Sequence, residues 1–508
     1  MPFKMKLANH FNITFIRAKA SILLVISLVL ISILVSCNGF KPLKSKPNSA
    51  EKNNIPKVIG TPPVSNPLPA ISLIPNPYLL DGRNGLHYDL YNSDVTNDVG
   101  PMGKTQKMVS HRLKSVGKSI PTMLFDSKGR IITSMISFSG TELLLMDPVT
   151  LEILAKEKLP RKSNIKILKT KENDAAGGSY LHFTPNEEVI VPRMDKVIAY
   201  YKIDDSGKKP VFILVKEFNL SNRLPKKAYL NDAVPDYNGQ IWFTTSTGIV
   251  GYIDKENGEM KTHSFPEHLQ NQMAVDTSGV YVLTHEYLNK LTIDSTGEIQ
   301  VLWRTKYDNS ADLNGLVSSG SGTSPTLFGT NNDLIAIADN GSPRLHLNVY
   351  HRKNGRLICS IPVFSTDNTG CENSPIGYGN DIVVEDNGGF KLFFSDPQTT
   401  NNGLIKIHVR DDLSGGDIVW ENYELKASTT PVLSTANGMI YSYCVKEGPK
   451  GTDDWYMSLV DWQTGKTVYQ IWVGSGKNFS DMLQPVVIND GTFYIGTKTG
   501  VLVIRDTD

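Results

Sequence analysis

Eight times along this 508-residue chain, a polar turn is followed at once by a short apolar strand. After seven of these turns, a second strand and a second polar turn follow. The first turns are residues 126–129, 185–188, 236–239, 276–279, 330–333, 377–380, 436–438 and 489–491. A small unit that repeats but cannot bury its own apolar face needs neighbours, so the pattern predicts a ring of stacked sheets.

The strands after the first turns are rich in β-branched and aromatic residues, as in 240–244 and 492–496. They are too short for helices, and a partner strand follows each of them. Glycines in the second turns, such as Gly258 and Gly297, supply the positive φ of a tight reversal. The prediction is an all-β fold, a β-propeller of eight four-stranded blades. Residues 446–454 are predicted to form a large loop.

The eighth unit lacks an outer strand, because Asp508 directly follows its third strand. A ring with this gap would expose an unpaired strand edge. Residues 107–113 lie just upstream of the first complete unit and have strand-like composition. They are therefore predicted to supply the missing strand and to close the ring.

The final unit, residues 490–502, resembles the repeat of quinoprotein-type (PQQ-like) β-propellers, as do residues 238–258. The resemblance extends over most of residues 104–508 and implies a propeller. A quinone-dependent dehydrogenase of that superfamily would be expected to carry adjacent cysteines, a stacking Trp and a calcium-binding acid. Adjacent cysteines do not occur in this sequence, so the resemblance implies the fold and not the chemistry.

The N-terminus has the layout of a bacterial export signal. Lys4, Lys6, Arg17 and Lys19 precede an uncharged, mostly apolar run over 21–35, which ends in a Leu-Val-Ser-Cys sequence at 34–37. This sequence resembles the lipobox of bacterial lipoproteins, in which Cys37 would carry the lipid, including palmitate. The expected organisation is a signal peptide over 1–36, a disordered tether over 37–76 and the propeller over 77–508.

An uncleaved membrane anchor is the alternative for this run, although ~20 apolar residues are needed to span a bilayer. In the lipoprotein interpretation, Asn38 follows the modified cysteine. Aspartate at that place usually retains Gram-negative lipoproteins in the inner membrane, so Asn38 favours the outer membrane. Both alternatives place the propeller in the cell envelope, tethered to a membrane.

The charge balance argues against nucleic acid as a partner. The chain has 52 basic and 51 acidic residues, and removal of the four basic residues of the signal leaves a net charge of −3. No basic stripe stands out in the remainder. We expect a monomer whose partners are the membrane and an envelope protein.

The four cysteines fit an exported protein. Cys359 in an outer strand and Cys371 in the next connection are close enough in sequence for a disulfide in an oxidising compartment, and two buried thiols are the alternative. Cys444 has the setting of a small core residue. The sequence contains no Cys-x-x-Cys and no paired Cys/His spacing, so no zinc site is predicted.

Polar residues stand at matching places just ahead of the first turns. In a propeller these places lie where the chain enters the innermost strands, so their side chains should converge on the mouth of the central channel as a candidate ligand site. The alternative is that they only satisfy backbone groups and water. The candidates are Asn231, Asp232, Asn271, Gln272, Thr323, Ser324, Glu372, Asn373, Thr429, Thr430 and Gln484.

No cofactor is predicted, and calcium is the one ion with candidate ligands. Two acidic stretches offer oxygen ligands: Asp89, Asn92, Asp94 and Asp98 in the first, and Glu385, Asp386 and Asn387 in the second. The first stretch does not follow the spacing of an EF-hand loop and lacks its closing Glu. Solvated loop structure is the favoured interpretation of both.

Two functions from different classes remain. The favoured one is a membrane-anchored, extracytoplasmic propeller that acts as a binding or scaffold protein, without catalytic residues. The alternative is an exported enzyme with its site at the channel mouth, either a quinoprotein-like oxidoreductase or a lyase or hydrolase. For that alternative, His285 beside Glu286 is the one adjacent His/carboxylate pair considered as a general base.

Overall fold

The computed structural model describes residues 57–80, 85–103, 106–111, 118–137, 140–160, 179–310, 320–364, 369–388, 403–427, 429–448, 451–481 and 485–506. Within them, the chain forms 35 strands and one short 3-10 helix, Lys477–Phe479. The strands assemble into eight sheets, each with four main strands. The eight-bladed, all-β propeller expected from the repeats is confirmed.

The strand bounds follow the predicted units. Three strands precede the first complete blade: β1 (Val58–Gly60), β2 (Val95–Thr96) and β3 (Gln106–His111). Blade 1 contains β4 (Lys118–Ser119), β5 (Met123–Phe125), β6 (Ile131–Ser137), β7 (Gly140–Met146) and β8 (Ile153–Lys158). Blade 2 contains β9 (His182–Phe183), β10 (Glu188–Pro192), β11 (Val197–Asp204) and β12 (Val211–Asn219). Blade 3 contains β13 (Leu230–Pro235), β14 (Ile241–Thr245), β15 (Ile249–Ile253) and β16 (Met260–Ser264).

The later blades repeat the arrangement. Blade 4 contains β17 (Ala274–Asp276), β18 (Gly279–Leu283), β19 (Tyr287–Ile293) and β20 (Ile299–Lys306). Blade 5 contains β21 (Thr326–Phe328), β22 (Leu334–Ala338), β23 (His346–His351) and β24 (Leu357–Pro362). Blade 6 contains β25 (Ile376–Tyr378), β26 (Asp381–Glu385), β27 (Leu404–Val409) and β28 (Gly416–Asn422). Blade 7 contains β29 (Val432–Ser434), β30 (Met439–Gly448), β31 (Thr452–Asp461) and β32 (Thr467–Ser475), and blade 8 contains β33 (Val487–Asn489), β34 (Thr492–Thr497) and β35 (Gly500–Asp506).

In each blade the strands pair antiparallel in chain order, from the innermost strand outwards. The predicted polar turns therefore lie together on one face of the ring, which we call the turn face. The connections that lead from one blade into the innermost strand of the next lie on the opposite face, the loop face. Residues 161–178, 311–319 and 389–402 are outside the described residues.

Blade 8 is completed by the strand predicted to close the ring. Strand β3 pairs antiparallel with β35, from Gln106 opposite Asp506 to His111 opposite Val501. The chain thus places an N-terminal strand on the outer edge of its last blade. This pairing satisfies backbone groups of β35 that would otherwise form an open sheet edge.

Blade 7 has two additional strands from the N-terminal region. Strand β1 pairs with the outer strand β32, and β2 pairs in parallel with the innermost strand β29. The expectation of a disordered tether up to residue 76 is therefore wrong from residue 57 onwards. The physical reason is that a sheet edge supplies backbone partners, so a segment without apolar periodicity can still be fixed by main-chain hydrogen bonds. The predicted signal peptide and the first part of the predicted tether lie outside the described residues.

The predicted loop at 446–454 is also different in the structure. Strands β30 and β31 pair continuously from Met439 opposite Asp461 to Gly448 opposite Thr452. Each has ten residues and extends beyond its equivalents in the other blades, so this segment is a raised β-hairpin on the loop face. The polar composition of 446–454 does not indicate this hairpin in the sequence, because both faces of a projecting hairpin can contact water.

The core lies between neighbouring blades. Residues of blades 2, 3 and 4 form one buried cluster that includes Trp242 and Phe243, and blades 7 and 8 share another around Trp455 and Phe493. These four side chains are at most 1% exposed. Large aromatic residues suit this position because each one buries ~150–250 Å² between two sheets.

Candidate functional site

The chain's own N-terminal segment, residues 85–99, which we call the plug, runs through the central channel along blades 4 to 7. Backbone amides from the innermost strands of blades 4, 5, 6 and 7 donate to successive plug carbonyls. The pairs are Val275 to Leu90 (2.8 Å), Leu327 to Tyr91 (2.8 Å), Gly377 to Ser93 (2.9 Å) and Leu433 to Asp94 (3.0 Å). At its ends, Gly85 donates to Leu181 of blade 2, and Val99 accepts from Gly491 of blade 8. The plug therefore follows the inner wall of the ring.

The residues before the plug cross the turn face. The Asn66 and Leu68 amides donate to the Asn437 and Thr435 carbonyls of blade 7, at 3.0 and 2.8 Å. Gly438 has a φ of +70°, and a Cβ at this position would collide with the carbonyl oxygen of Asn66. Further along, the Tyr237 hydroxyl of blade 3 donates to the Ile74 carbonyl at 3.0 Å. The turn face is thus partly covered from blade 7 to blade 3.

A buried histidine fixes the plug to two blades. His87 Nδ1 lies 2.9 Å from Asp94 Oδ1 within the plug, and Nε2 lies 3.2 Å from Ser324 Oγ and 3.3 Å from Ser374 Oγ. The carboxylate favours a proton on Nδ1, so Nε2 accepts from a serine hydroxyl. These are the residue types of a hydrolytic triad. Both serines are only 4% exposed, however, so in this conformation the cluster acts as a structural clasp.

A second buried carboxylate shapes the plug itself. Asp89 Oδ1 accepts from the amides of Tyr91 (2.8 Å) and Ser93 (3.2 Å), and Oδ2 accepts from Ser93 Oγ at 2.5 Å. Burial raises the pKa of Asp89 to about 7 in spite of these donors. Burial likewise raises the pKa of Asp94 to about 6, a rise that His87 limits. The plug therefore contains two carboxyl groups that titrate near neutral pH.

The predicted channel-mouth residues connect neighbouring blades. Asp232 accepts from His182 Nε2 of blade 2 at 2.9 Å and from the Met273 amide at the start of blade 4 at 3.1 Å. Asn231 donates to the Leu269 carbonyl at 2.7 Å. Both predicted residues are at most 2% exposed. Their hydrogen-bonding groups are used within the ring.

Asn271 and Gln272 have the same kind of role one blade further on. Asn271 Nδ2 donates to the carbonyls of Ser321 (3.1 Å) and Thr323 (2.6 Å), which lead into blade 5. Gln272 contacts the plug, since its Nε2 donates to Asn92 Oδ1 at 3.0 Å and its Oε1 accepts from the Leu86 amide at 3.1 Å. The structure thus brings Gln272 to the axis, where the plug occupies the position of a ligand.

Blades 5 to 8 continue the pattern. Thr323 Oγ1 lies 2.8 Å from Ser321 Oγ, the Ser324 amide donates to Ser374 Oγ at 2.9 Å, and the Thr430 carbonyl accepts from the Val486 amide at 3.0 Å. The Thr429 hydroxyl is near the Tyr443 carbonyl, at 3.4 Å. Gln484 lies outside the described residues. The described residues make contacts within a blade or between neighbouring blades. Ligand binding at these positions stays a prediction.

At blade 6, the buried carboxyl group of Glu385 contacts the predicted channel-mouth residue Asn373. Glu385 Oε2 accepts from Asn373 Nδ2 (2.7 Å) and Asn387 Nδ2 (3.0 Å), and Asn387 Oδ1 accepts from the Glu372 amide (2.7 Å). Glu385 Oε1 has no hydrogen-bond partner among the described residues. Burial raises the pKa of Glu385 well above its usual range, which agrees with a carboxyl group that stays protonated.

The two stretches considered for calcium lie in these networks. Asp89, Asn92 and Asp94 are the plug residues described above, and Glu385 and Asn387 are bonded to each other. Within the described ranges, no three His, Cys, Asp or Glu residues are grouped so that they could hold a metal ion. Calcium binding stays a prediction for solution experiments.

The predicted disulfide is not formed. Cys359 lies on the outermost strand β24 and is partly exposed, whereas Cys371 is buried and its Sγ contacts the Asn373 carbonyl at 3.0 Å. The two residues are close in sequence, but the connection between them crosses a blade from its outer edge towards the axis. Both are free thiols, as is Cys444, while Cys37 lies outside the described residues.

The pair considered for general-base catalysis is on the loop face. His285 lies between β18 and β19, with its ring 5.4 Å from that of His268, and Glu286 forms an ion pair with Lys306 at 3.5 Å.

Sequence reasoning missed His87 and His182, and it considered Asp94 only as a calcium ligand. His182 stands ahead of the turn at 185–188 as Asp232 stands ahead of 236–239, so the repeat itself contained a signal for it. The clasp of His87 and Asp94 lies upstream of the repeats. Its partners, Ser324 and Ser374, are more than 200 residues away.

Comparisons with known proteins give distant similarities. No family model matches the chain. An uncharacterized protein of Archaeoglobus fulgidus is 20% identical over 361 residues, which cover 64% of this chain and 69% of the relative. Among solved structures, the computationally designed Ika8 protein is 10% identical with a TM-score of 0.47, covering 78% of this chain and 98% of its own.

Two natural proteins also show a similarity. BamB from Moraxella catarrhalis is 12% identical with a TM-score of 0.45, covering 79% of this chain and 98% of BamB. Virginiamycin B lyase from Staphylococcus aureus is 12% identical with a TM-score of 0.40, covering 79% and 99% of the two chains. The propeller assignment for this chain rests on the strand pairing described above.

Proposed function

We propose that this protein is a membrane-anchored, extracytoplasmic β-propeller that binds a protein of the cell envelope through its loop face. The observation that carries the proposal is the plug, whose backbone pairs with the inner wall of the ring. The plug occupies the channel, and the segment before the plug covers part of the turn face. The loop face is therefore the face proposed for a partner, and it carries the raised hairpin of blade 7 and the connections between blades.

The candidate channel-mouth residues support a binding role over a catalytic one. Asn231, Asp232 and Asn271 use their side chains to join blades. Such bonds make a stiff ring, and a stiff ring is a suitable platform for binding loops. This proposal does not involve the quinone, lyase or hydrolase chemistry of the alternative.

Site-specific photo-crosslinking in cells tests the binding face. A photoreactive residue is placed at Lys227 or Glu447, both exposed on the loop face, and as a matched control at Glu256 on the turn face, whose side chain is 79% exposed. We expect a discrete crosslinked product from the loop-face positions. A product from Glu256 alone would contradict the proposal.

Membrane attachment through Cys37 is supported by the lipobox-like sequence at 34–37 and by the export layout of 1–36. In the part of the chain that the structure describes, no helix has the length and apolar character needed to cross a membrane. A Cys37→Ser variant tests the anchor. We expect loss of the palmitate analogue that the wild type incorporates, whereas a protein anchored by an uncleaved helix would incorporate none in either form.

The outer membrane is the proposed location, because Asn38 follows the modified cysteine in the lipoprotein interpretation. Asn38→Asp is the corresponding test. We expect this variant to move from the outer-membrane to the inner-membrane fraction of a density gradient, and an unchanged distribution would contradict the location.

A further inference from the structure

The outermost strand of blade 2 exposes more aliphatic surface than the other outer strands of the described ring. In β12, Val211 is 49% exposed, Ile213 43%, Leu214 48% and Val215 45%. Strands β8, β20 and β24 each expose one large aliphatic residue to a comparable degree, and β28 exposes two. Single exposed aliphatic residues are normal on a protein surface, but a contiguous run indicates an interaction site.

A β-bulge makes this run continuous. Tyr200 of β11 is opposite Lys216, but the next residue, Tyr201, is opposite Leu214, so Val215 is the additional residue. Regular alternation would turn every second side chain of β12 towards the neighbouring blade. The bulge interrupts the alternation, and Ile213, Leu214 and Val215 are all exposed in succession.

The strand also has a free backbone edge. Its blade ends at β12, so the outward N–H and C=O groups of β12 have no strand beyond them in the described sheet. Blade 7 shows how such an edge is used in this protein. There the short, β-branched segment β1 adds to the outer strand β32, with Val58 opposite Ile471 and Gly60 opposite Tyr469.

The charges beside the edge favour an acidic occupant. Asp205 is neutralised within the protein by Lys128 Nζ (2.7 Å) and Arg130 Nη1 (2.7 Å), and Glu217 pairs with Arg193 Nη1 at 3.2 Å. In contrast, Lys208 and Lys209 are exposed and pair with no described carboxylate. Lys216 Nζ lies over the ring of Tyr200, 4.1 Å from its centroid. Asp204 at the same turn likewise has no ion-pair partner among the described residues, and Glu217 shares Arg193 with Asp195, so the three lysines leave a small positive excess at this edge.

We propose that β12 is a docking edge for an extended segment of a partner protein in which β-branched and acidic residues alternate. The segment pairs with the free backbone of β12, packs against Leu214 and Val215, and places its carboxylates near Lys208 and Lys209. A lipid surface fits this edge less well than an extended segment does, because hydrocarbon cannot satisfy the backbone N–H and C=O groups of a sheet edge. This edge is separate from the loop face, so the inference does not rest on the proposed function.

The probe is a fluorescein-labelled peptide in which valine or threonine alternates with glutamate. Its binding to the full chain is measured by fluorescence anisotropy. Its control has the same side chains but N-methyl groups on alternate backbone amides, which remove edge donors. The matched protein variants are Leu214→Glu on β12 and Leu302→Glu on β20, where Leu302 is 51% exposed. Hydrogen exchange over 211–219 and 299–306 reports which edge is occupied.

We expect the probe to bind the wild type and the Leu302→Glu variant equally and to slow exchange only over 211–219. Leu214→Glu and N-methylation should each weaken binding at least about tenfold, equivalent to ~1.4 kcal/mol. Absence of probe binding, or binding insensitive to Leu214→Glu, overturns the proposal. Two other results would also overturn it in favour of another occupant: a dimer that Leu214→Glu dissociates, or binding to anionic vesicles that Leu214→Glu abolishes.

Discussion

At the residue scale, the most consequential contacts are those of the plug. His87 and Asp94 are 2% and 0% exposed, and each needs the other because a buried polar group without a partner is costly. The same pair connects the plug to Ser324 of blade 5 and Ser374 of blade 6. A change at either residue therefore acts on the attachment of the plug as well as on local packing.

Replacing Asp94 with alanine should lower the free energy of unfolding by about 2 to 3 kcal/mol, because His87 would keep a buried donor without an acceptor. Urea denaturation measures this. The control is Asp417→Ala, which removes an ion pair with Arg410. The side chain of Asp417 is 58% exposed. Surface pairs of this kind contribute little, so an equal loss in both variants would contradict the role of the clasp.

Asp89 should make stability depend on pH. Burial raises its pKa to about 7 in the folded protein, compared with about 4 in an unfolded chain. The folded state thus binds the proton more tightly than the unfolded state. The contribution of Asp89 to the free energy of unfolding is therefore complete below about pH 4 and is lost as the pH rises to about 7. The same sign applies to Asp94, whose pKa is about 6.

The corresponding test compares the wild type with Asp89→Asn, which keeps the shape and cannot ionise. We expect the free energy of unfolding of the wild type to fall more steeply than that of the variant between about pH 5 and pH 7. Some slope should remain in the variant because Asp94 still titrates. Parallel curves would show that Asp89 does not ionise within the folded protein.

At the element scale, strands from the N-terminal region complete sheets formed by distant repeats. The sequence predicts β3 because the eighth unit visibly lacks an outer strand. It does not predict β1 or β2, because blade 7 is already complete with four strands and the segment 57–60 has no partner pattern of its own. A backbone edge accepts many sequences, so pairing of this kind leaves little trace in composition.

Two proline substitutions test the closure by β3. Met108 and Val109 are opposite Ile504 and Val503, and amides of successive strand residues point in opposite directions. One amide therefore faces β35 and the other faces away. We expect proline at one position to lower the free energy of unfolding by about 3 kcal/mol or more, and proline at the other to be tolerated. Two harmless substitutions would contradict closure by this strand.

At the scale of the whole molecule, the ring is held from inside as well as by contacts between blades. The amides of Val275, Leu327, Gly377 and Leu433 belong to four different blades and donate to one short segment. Loss of the plug should therefore weaken these blades together. This differs from an ordinary repeat protein, in which each unit depends mainly on its neighbours.

Hydrogen exchange checks this coupling. In Asp94→Ala, we expect faster exchange at Val275, Leu327, Gly377 and Leu433 together, because local opening of the plug exposes all four amides. The amide of Val234, inside the sheet of blade 3, is the internal reference. Acceleration confined to Leu433, the donor nearest the substitution, would show that the blades respond separately.

The sequence by itself determined the blades: turn residues recur at each repeat, the strands between them have the right length, and the missing strand of the last unit identifies β3. These are local signals, because a turn or a hairpin is encoded by the few residues that form it. Only the tertiary structure decided how the channel is used. The plug lies upstream of the repeats, and His87 meets Ser324 and Ser374 across more than 200 residues. Whether a polar group at the predicted channel mouth serves a ligand or a neighbouring blade likewise depends on what packs beside it.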